Sequence, residues 1–310
     1  MKPFTSVVPS TLRSAAPHLC VRRHAVAFVF MASLLAGCGG GGSGSAMVTD
    51  GPPMVDGIQA TISQIAGSAD SILTSDVLAN VPVGEQIMPF RFDTSCTADS
   101  CTAQYNGMEH VRVSTSDFDA LDPNISWQRT AAQQGVPIAE GRGELTEPGI
   151  SVDVTLLGGW LDHNFFAVQL EGVTHDSSDG VDVAGLEAGY AYSIGNATDT
   201  NPALSGNATW RGGMVGGSVG SGRSLVRGDA TLTLDVAQME MDVAFTDIRS
   251  VDTGQSRADM TWDGLAVANG TFGTGSRGDS IQGRFYGPEH EEVGGIFERD
   301  HIIGAFGAGR

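Results

Sequence analysis

The C-terminal stretch Asp279–Arg310 reads DSIQGRFYGPEHEEVGGIFERDHIIGAFGAGR, and it decides the fold. It contains three short apolar runs, each rich in glycine and separated from the next by polar residues. In the first run Ile281, Gly283 and Phe285 alternate with more polar neighbours, which is the period of a half-buried strand. So much glycine weakens a flat sheet but suits a sheet that coils sharply. The stretch therefore predicts the closing wall of a small β-barrel.

The same succession of short, alternating strands extends upstream and predicts a barrel over residues 206–310. The candidate strands are Ala208–Val215, Arg223–Val236, Glu240–Ile248, Ala258–Trp262, Leu265–Phe272, Ser280–Tyr286, Val293–Glu298 and Ile302–Ala308. Eight antiparallel strands are enough to close a barrel around its own side chains. Gly264 and the run 275–278 occupy positions where hairpin turns are expected. The chain shows no alternation of strands with helices, so the predicted fold class is all-β.

The three glycine-rich runs carry a family resemblance. They are Gly283-Arg-Phe-Tyr-Gly-Pro, Glu292-Val-Gly-Gly-Ile-Phe and Gly304-Ala-Phe-Gly-Ala, the last followed by Gly309 and Arg310. In this order they resemble the C-terminal barrel of the transferrin-binding protein B-like surface lipoproteins, from about Asn207 to the end of the chain. The resemblance implies an eight-stranded antiparallel β-barrel preceded by an irregular, handle-like β-rich region.

The resemblance also implies a binding function. Members of this family capture host iron or haem carriers, or other host proteins, often together with a TonB-dependent outer-membrane receptor. This chain has one set of the barrel motifs, whereas the transferrin receptors have two lobes, and their transferrin-contacting loops have no recognisable counterpart here. The implied partner is therefore an unknown protein, such as an iron or haem carrier, and not transferrin in particular.

The N-terminus has the features of a secretory signal. Arg22 and Arg23 precede an apolar run from Ala25 to Leu35, and the sequence Leu-Ala-Gly-Cys38 closes the segment. The apolar run is too short to span a bilayer as a mature helix. Leu-Ala-Gly-Cys resembles the bacterial lipobox, which implies removal of residues 1–37 and lipidation of Cys38. With glycine as the next residue, it implies an outer-membrane address, at the cell surface or on the periplasmic face. The alternative is an ordinary signal peptide with a chance cysteine.

The charge of the chain disfavours some classes of partner. The 310 residues include 36 acidic and 17 basic ones, for a net charge of −19. Residues 1–37 hold four of the basic residues and none of the acidic ones, so 13 basic residues remain after cleavage and the net charge becomes −23. This excess disfavours nucleic acid and anionic lipid as partners. It fits a basic protein partner or cations, and it is equally consistent with simple solubility.

Residues 38–54 and 55–205 differ in composition. The first segment begins Cys-Gly-Gly-Gly-Gly-Ser-Gly-Ser and predicts a flexible tether between a lipid anchor and the folded part. The second starts with apolar residues at helix-like spacing, which predict a short helical lead-in: Ile58, Ile62, Ile65, Ile72 and Leu73. From Met88 to about Thr198 the pattern is strand-like with long polar interruptions. Loops of that length are typical of binding regions.

Cys96 and Cys101 are the cysteines that remain if Cys20 is cleaved off and Cys38 is lipidated. In an oxidising envelope compartment a local disulfide between them is the favoured state. Closing so small a loop contributes about 2 kcal/mol to stability in the chain-entropy description. The alternative is a metal site, which would need further ligands. We therefore predict the disulfide and no bound metal.

Aromatic residues mark one candidate ligand site in the β-rich region. Trp160 and His163 stand beside a Phe-Phe pair, and a histidine in such surroundings can face haem or a metal complex. The alternative is a half-buried structural histidine.

Carboxylates mark a second candidate site. Asp176, Asp179 and Asp182 lie within eight residues of one another, and oxygen-rich loops of this kind can hold Ca²⁺, although the spacing is not that of an EF-hand. The alternative is a solvated acidic loop. We predict that both candidate sites contribute to ligand binding and that the protein carries no resident cofactor.

Two motifs that can mark an enzyme lack the context that they require. Gly216-Gly-Ser-Val-Gly220 matches G-x-S-x-G, and Gly273-Thr-Gly-Ser-Arg-Gly278 matches G-x-G-x-x-G. Each motif needs a helix directly after it, and each is followed here by a predicted strand, so we interpret both as glycine-rich turns. The sequence thus predicts a binding protein and not an enzyme. The alternative function is a structural or adhesive envelope lipoprotein without a soluble ligand.

Overall fold

The structure is a computed structural model that describes residues 73–83, 86–96, 100–105, 108–114, 125–129, 132–147, 150–176, 187–218, 223–276 and 278–310. Within these ranges the chain forms strands and turns and no helix, which confirms the all-β prediction. The described residues accordingly include no helix that is long and apolar enough to cross a membrane. The predicted signal peptide, the tether and the lead-in as far as residue 72 lie outside these ranges. Leu73, the last residue of the predicted lead-in, begins a strand.

Nine antiparallel strands precede the barrel and form one sheet, here called the handle sheet. Its strands are β1 (Leu73–Val83), β2 (Gln86–Cys96), β3 (Ser100–Tyr105), β4 (Met108–Ser114), β5 (Ile125–Arg129), β6 (Ile138–Glu147), β7 (Ile150–Trp160), β8 (Asn164–Asp176) and β9 (Glu187–Asn196). Their order in space is β4-β3-β2-β1-β9-β8-β7-β6-β5. Two meanders, β1–β4 and β5–β9, are therefore joined by the pairing of β1 with β9.

The remaining eight antiparallel strands form the closed barrel predicted from the C-terminal cadence. They are β10 (Asn207–Ser218), β11 (Ser224–Asp235), β12 (Glu240–Ser250), β13 (Met260–Ala268), β14 (Thr271–Ser276), β15 (Asp279–Tyr286), β16 (Glu292–Arg299) and β17 (Ile302–Gly309). Each strand pairs with the next, and β17 pairs back with β10 to close the barrel.

The predicted turn at Gly264 is wrong. Gly264 lies inside β13, and the hairpin turn falls at Asn269 and Gly270 instead. The backbone of Gly264 takes φ +64, its N–H donates to Asp242 Oδ1 at 2.7 Å, and the pairing with β12 shifts register beside it. A β-bulge accepts glycine in this left-handed conformation, where a side chain would be strained. The glycine therefore marks a bulge within a strand.

The two glycine motifs interpreted as turns lie largely in strands. Gly216, Gly217 and Ser218 end β10, and Gly273–Ser276 belongs to β14. The next described element after each motif is another strand, β11 or β15. The structural context for a nucleophile elbow or a dinucleotide turn is therefore missing in this part of the chain.

The interior of the barrel is filled by its own side chains. Inward-facing residues form one buried cluster, whose largest members are Trp210, Phe245, Trp262, Phe285, Phe297 and Phe306. The ring centroid of Phe245 lies 4.9 Å from that of Phe297 and 5.3 Å from that of Phe306. Ring pairs in such tilted arrangements contribute about 0.5–1.5 kcal/mol beyond their burial. The interior is therefore a packed core and not a cavity for a ligand.

The handle sheet packs against the outer wall of the barrel on a strip of glycines. These glycines, here called the glycine strip, are Gly213, Gly217, Gly294 and Gly307. A Cβ added to Gly307 would lie 2.4 Å from Phe166 Cδ1, and one added to Gly217 would lie 2.8 Å from Leu170 Cδ2. Phe166 and Leu170, both fully buried, therefore rest directly on the backbone of the barrel.

Candidate functional site

The hairpin that joins β7 to β8 ends at the barrel and presents two of the predicted ligand residues. Its tight turn is closed by the N–H of Leu161, which donates to the carbonyl of Asn164 at 2.8 Å. Trp160, the last residue of β7, and His163 are half-buried, and Asp162 between them is exposed. The aromatic candidate site is thus a hairpin turn held against the barrel.

A carboxylate of the barrel anchors this turn. Glu292, the first residue of β16, accepts hydrogen bonds from the backbone N–H groups of Asp162 (2.7 Å) and His163 (3.0 Å). Burial raises the pKa of Glu292 to about 7; the two hydrogen bonds act to lower it, and the nearby negative charges of Asp162 and Glu291 raise it. The contact between hairpin and barrel therefore includes a carboxyl group that titrates near neutral pH.

Asn164, Ser193 and Tyr286 form a buried polar chain beneath the turn. Asn164 Nδ2 donates to Ser193 Oγ at 3.1 Å, and Ser193 Oγ lies 2.8 Å from the hydroxyl of Tyr286 in the barrel. Asn164 Oδ1 has no hydrogen-bond partner. A Cβ added to Gly294 would lie 2.8 Å from this oxygen, so a Cα–H of the glycine points at it as a weak donor. A buried network of this kind is satisfied in one orientation only, which fixes the handle sheet on the barrel.

Both parts of the molecule contribute to the exposed surface around the turn, here called the tip surface. It consists of Trp160–His163, Gly287–Glu291 and Arg310. A Cβ added to Gly287 would lie 2.7 Å from His163 Cδ2, so the two turns are in contact. Burial acts to raise the pKa of Glu291, but backbone amides and the charges of His163 and Arg310 hold it below its ordinary value. The tip surface therefore combines aromatic side chains with carboxylates, among which Glu291 is held in its ionised form.

Comparison with known proteins assigns the barrel. Residues 197–310 match the family described as the C-lobe and N-lobe beta barrels of Tf-binding protein B. This segment contains all eight strands of the closed barrel. Residues 197–310 are thus similar to the barrels of transferrin-binding protein B. The resemblance carried by the three glycine-rich runs is thereby confirmed.

Solved structures of transferrin-binding protein B are similar to the chain at low sequence identity. Intact Ap-TbpB, with its N and C lobes, is 13% identical with a TM-score of 0.39, over 77% of this chain and 46% of that one. The isotype 1 protein from serogroup B Neisseria meningitidis is 15% identical with a TM-score of 0.39, over 77% of this chain and 42% of that one. A double mutant of the Haemophilus parasuis Hp5 protein is 12% identical with a TM-score of 0.41, over 77% of this chain and 44% of that one.

The chain spans less than half the length of each of these three proteins. No curated protein matches it. The family assignment therefore rests on the barrel.

Of the five predicted ligand residues, the structure describes the positions of three. Trp160 and His163 share the tip surface, whereas Asp176 ends β8, at the opposite end of that 13-residue strand. Asp179 and Asp182 lie outside the described residues. The contribution of these residues to ligand binding stays a prediction.

The predicted disulfide concerns two positions that face each other. β2 and β3 pair so that Cys96 lies directly opposite Cys101. Directly paired residues of antiparallel strands have Cα atoms about 4.5–5.5 Å apart, within the range that a disulfide spans. The register is compatible with the disulfide, which stays a prediction. Cys38 lies outside the described residues.

Glu171 is a buried carboxylate in β8 that the sequence interpretation missed. It is 3% exposed, and burial raises its pKa to about 8, against a hydrogen bond from Gln169 that lowers it. The Tyr192 hydroxyl in turn donates to Gln169 Oε1 at 3.3 Å. Gln169 and Glu171 occupy alternate positions within the otherwise apolar run 165–173 of β8, and this interruption is the signal that could have located them.

Among the described side chains, no three His, Cys, Asp or Glu residues lie close enough to hold a metal ion. What the tip surface offers instead is aromatic contact with a charged surround, the combination that protein–protein interfaces use.

Proposed function

We propose that this protein is a lipid-anchored outer-membrane lipoprotein that captures an iron or haem carrier protein, as a co-receptor for a TonB-dependent transporter. The family of its barrel supports this function, because the solved relatives are named as transferrin-binding proteins. The Gly-rich segment after residue 38 and the Leu-Ala-Gly-Cys38 sequence support the anchor and the address.

The observation that carries the proposal is the packed interior of the barrel. Trp210, Phe245 and Phe306 are fully buried within it, together with the rest of the aromatic cluster. The filled interior leaves no room there for a small ligand such as free haem, whose sites are predominantly apolar pockets that bury most of the ligand. Binding therefore takes place on the outer surface, and an outer surface suits a macromolecule.

The tip surface is our proposed contact area for the carrier. Trp160 supplies an aromatic side chain beside two acidic turns, and Asp162 and Glu289 are exposed. Aromatic residues dominate the energy of protein interfaces, while surrounding charge raises the rate of encounter. Since both the handle sheet and the barrel contribute to it, the tip surface exists only when the two are packed together.

Binding to purified carriers tests the proposal. Residues 39–310 are immobilised, and iron-loaded transferrin, iron-free transferrin, haemoglobin and free haemin are applied in turn while binding is followed by interferometry. We expect saturable binding of at least one protein carrier and none of haemin. Asp162→Lys reverses a charge on the tip surface and should weaken carrier binding about tenfold.

Asp259→Lys is the matched control, because Asp259 is equally exposed but lies in the loop before β13, at the other end of the barrel. It should leave carrier binding unchanged. If no carrier binds, the protein is better described as a structural or adhesive lipoprotein. If the two variants weaken binding equally, the tip surface is not the contact area.

The membrane anchor has its own test. Cys38→Ser should move the protein from the membrane fraction to the soluble fraction and remove fatty-acid labelling. A wild-type protein that carries no label but stays with the membrane would rule out lipidation at Cys38.

A further inference from the structure

The barrel has a seam at which two neighbouring strands part. β13 and β14 pair at only two positions, Val267 with Phe272 and Ala268 with Thr271, next to their hairpin turn. Continued in register, the ladder would pair Ala266 with Gly273 and then Leu265 with Thr274, but the strands have separated by that point. β12 and β15 continue to pair with the outer sides of β13 and β14, so the gap opens between two otherwise anchored strands.

The gap forms an open cleft, here called the seam cleft, with a volume of about 650 Å³. Its walls are Thr261–Ala266 on β13 and Gly273–Ser276 on β14, and all of these residues except Trp262 and Leu265 are exposed. A Cβ added to Gly264 would meet only Glu240 Oε2, at 3.8 Å. The atoms nearest to a Cβ added to Gly273 belong to β15. Side chains therefore do not fill the cleft from either wall.

A polar cluster closes one end of the seam cleft. The guanidinium of Arg299 lies 3.9 Å from the ring centroid of Trp262 and donates to the carbonyl of Thr261 at 2.6 Å and to Asp279 Oδ1 at 2.8 Å. Trp262 Nε1 also donates to Asp279 Oδ1, at 3.2 Å. Arg299, which comes from β16, thus donates to a backbone carbonyl of β13 that does not pair with β14. The cluster keeps the core residue Trp262 covered where the strands part.

The described residues around the seam cleft carry a negative charge. Asp263 is exposed on its wall, and Asp242 and Glu240 lie beside the bulge at Gly264. Arg299, the cation among the described lining residues, already shares its charge with Asp279. Unpaired strand edges bind extended peptides through main-chain hydrogen bonds, and the charge of the rim then selects among peptides.

From these observations we propose that the seam cleft accepts one extended, basic segment of a partner polypeptide as an added β-strand. The segment pairs with the free edges of β13 and β14, and its basic side chains face Asp263 and the carboxylates beside the bulge. The glycines of β14 leave room for side chains of the added strand. This site is distinct from the tip surface, and it does not depend on the proposed capture of a carrier.

Designed peptides test the proposal directly. The basic peptide acetyl-KTVKVTK-amide, its acidic counterpart acetyl-ETVEVTE-amide and a basic version N-methylated at alternate residues are titrated into residues 39–310. Fluorescence polarisation of labelled peptides gives affinities, and hydrogen–deuterium exchange locates the contact. We expect saturable binding of the basic peptide alone, with slowed exchange confined to segments 261–266 and 273–276. The N-methylated peptide should not bind, because it cannot form the ladder.

Asp263→Lys should weaken binding of the basic peptide about threefold to tenfold, since it replaces attraction by repulsion at a solvent-exposed position. Asp162→Lys, on the tip surface, is the matched control and should have no effect. Equal binding of the N-methylated or acidic peptide, or slowed exchange elsewhere, would overturn the proposal. So would a dimer of the protein alone that protects the same segments, because the occupant would then be a second copy.

Discussion

At the scale of single residues, the contact between handle sheet and barrel depends on polar groups removed from water. Glu292 accepts two backbone hydrogen bonds from the β7–β8 turn, and Asn164 reaches Tyr286 through Ser193. Each of these side chains is buried, so each would be costly if its partners moved away. They therefore specify how the two parts meet, while the apolar contacts supply most of the burial.

Glu292 should make the stability of the molecule depend on pH. Its pKa is raised to about 7 in the folded chain, against 4.5 ordinarily, so between these values the folded state binds a proton that the unfolded state does not. The contribution of Glu292 is therefore full below about pH 4.5 and is lost as the pH rises through 7. Glu292→Gln keeps an acceptor and cannot ionise. Relative to the wild type, its free energy of unfolding should rise by about 1–3 kcal/mol from pH 4.5 to 8.

Urea unfolding of both proteins across this pH range measures the difference. Glu292→Ala is the control for the hydrogen bonds. It cannot ionise either, and relative to Glu292→Gln it should be destabilised by about 1–3 kcal/mol at every pH because two backbone donors lose their acceptor. A difference between Glu292→Gln and the wild type that stays constant with pH would show that the pKa of Glu292 is the same in the folded and unfolded chain.

At the scale of strands, the glycine strip is the feature that lets sheet and barrel pack closely. The glycines were recognisable in the sequence, but the reason why these positions are glycine was not. The strand period indicates that Gly307 lies on the opposite face of β17 from Phe306, and it cannot show that Phe166 lies against that face. Glycine on an outer barrel wall has the same sequence signature whether the strand coils or another sheet approaches.

Gly307→Ala should separate these two explanations. Its Cβ would lie 2.4 Å from Phe166 Cδ1, so the handle sheet must shift, and we expect a loss of about 1–3 kcal/mol in the free energy of unfolding. Gly309→Ala is the matched control on the same face of the same strand, where the nearest atom, Leu161 Cδ2, would lie 3.3 Å away. Gly309→Ala should lower the free energy of unfolding far less than Gly307→Ala. Equal effects in thermal unfolding would mean that close approach of the sheet is not why Gly307 is glycine.

The strands themselves were predictable where one face is buried in the barrel. Ile281, Gly283 and Phe285 alternate as expected and face the core. Gly264 misled the prediction because a bulge and a turn both require a left-handed glycine. The tip surface could be predicted in part. Trp160 and His163 stood out, whereas Glu292 lies 130 residues from Asp162 and Arg310 lies still further along the chain, so that both meet the turn only through the fold.

At the scale of the whole molecule, a closed eight-stranded barrel carries a nine-stranded sheet on its outer wall. The barrel was predictable because its eight strands are local in sequence and joined by short turns. The handle sheet was predictable only as a β-rich region, because the pairing of β1 with β9 joins residues more than 100 positions apart. No local sequence pattern predicts such a pairing, because it is defined by the register between two strands that are distant in the chain.

The measurement that tests the account most directly compares residues 39–310 with the barrel alone, residues 197–310, for binding of the same carrier. Circular dichroism and thermal unfolding first establish that the barrel fragment is folded. The fragment retains Gly287–Glu291 and Arg310 but lacks the β7–β8 turn, so it has only half of the tip surface. We expect the longer chain to bind the carrier saturably and the folded barrel to bind it at least tenfold more weakly. Equal affinity of the two proteins would contradict the account, because the carrier would then be held by the barrel without the handle sheet.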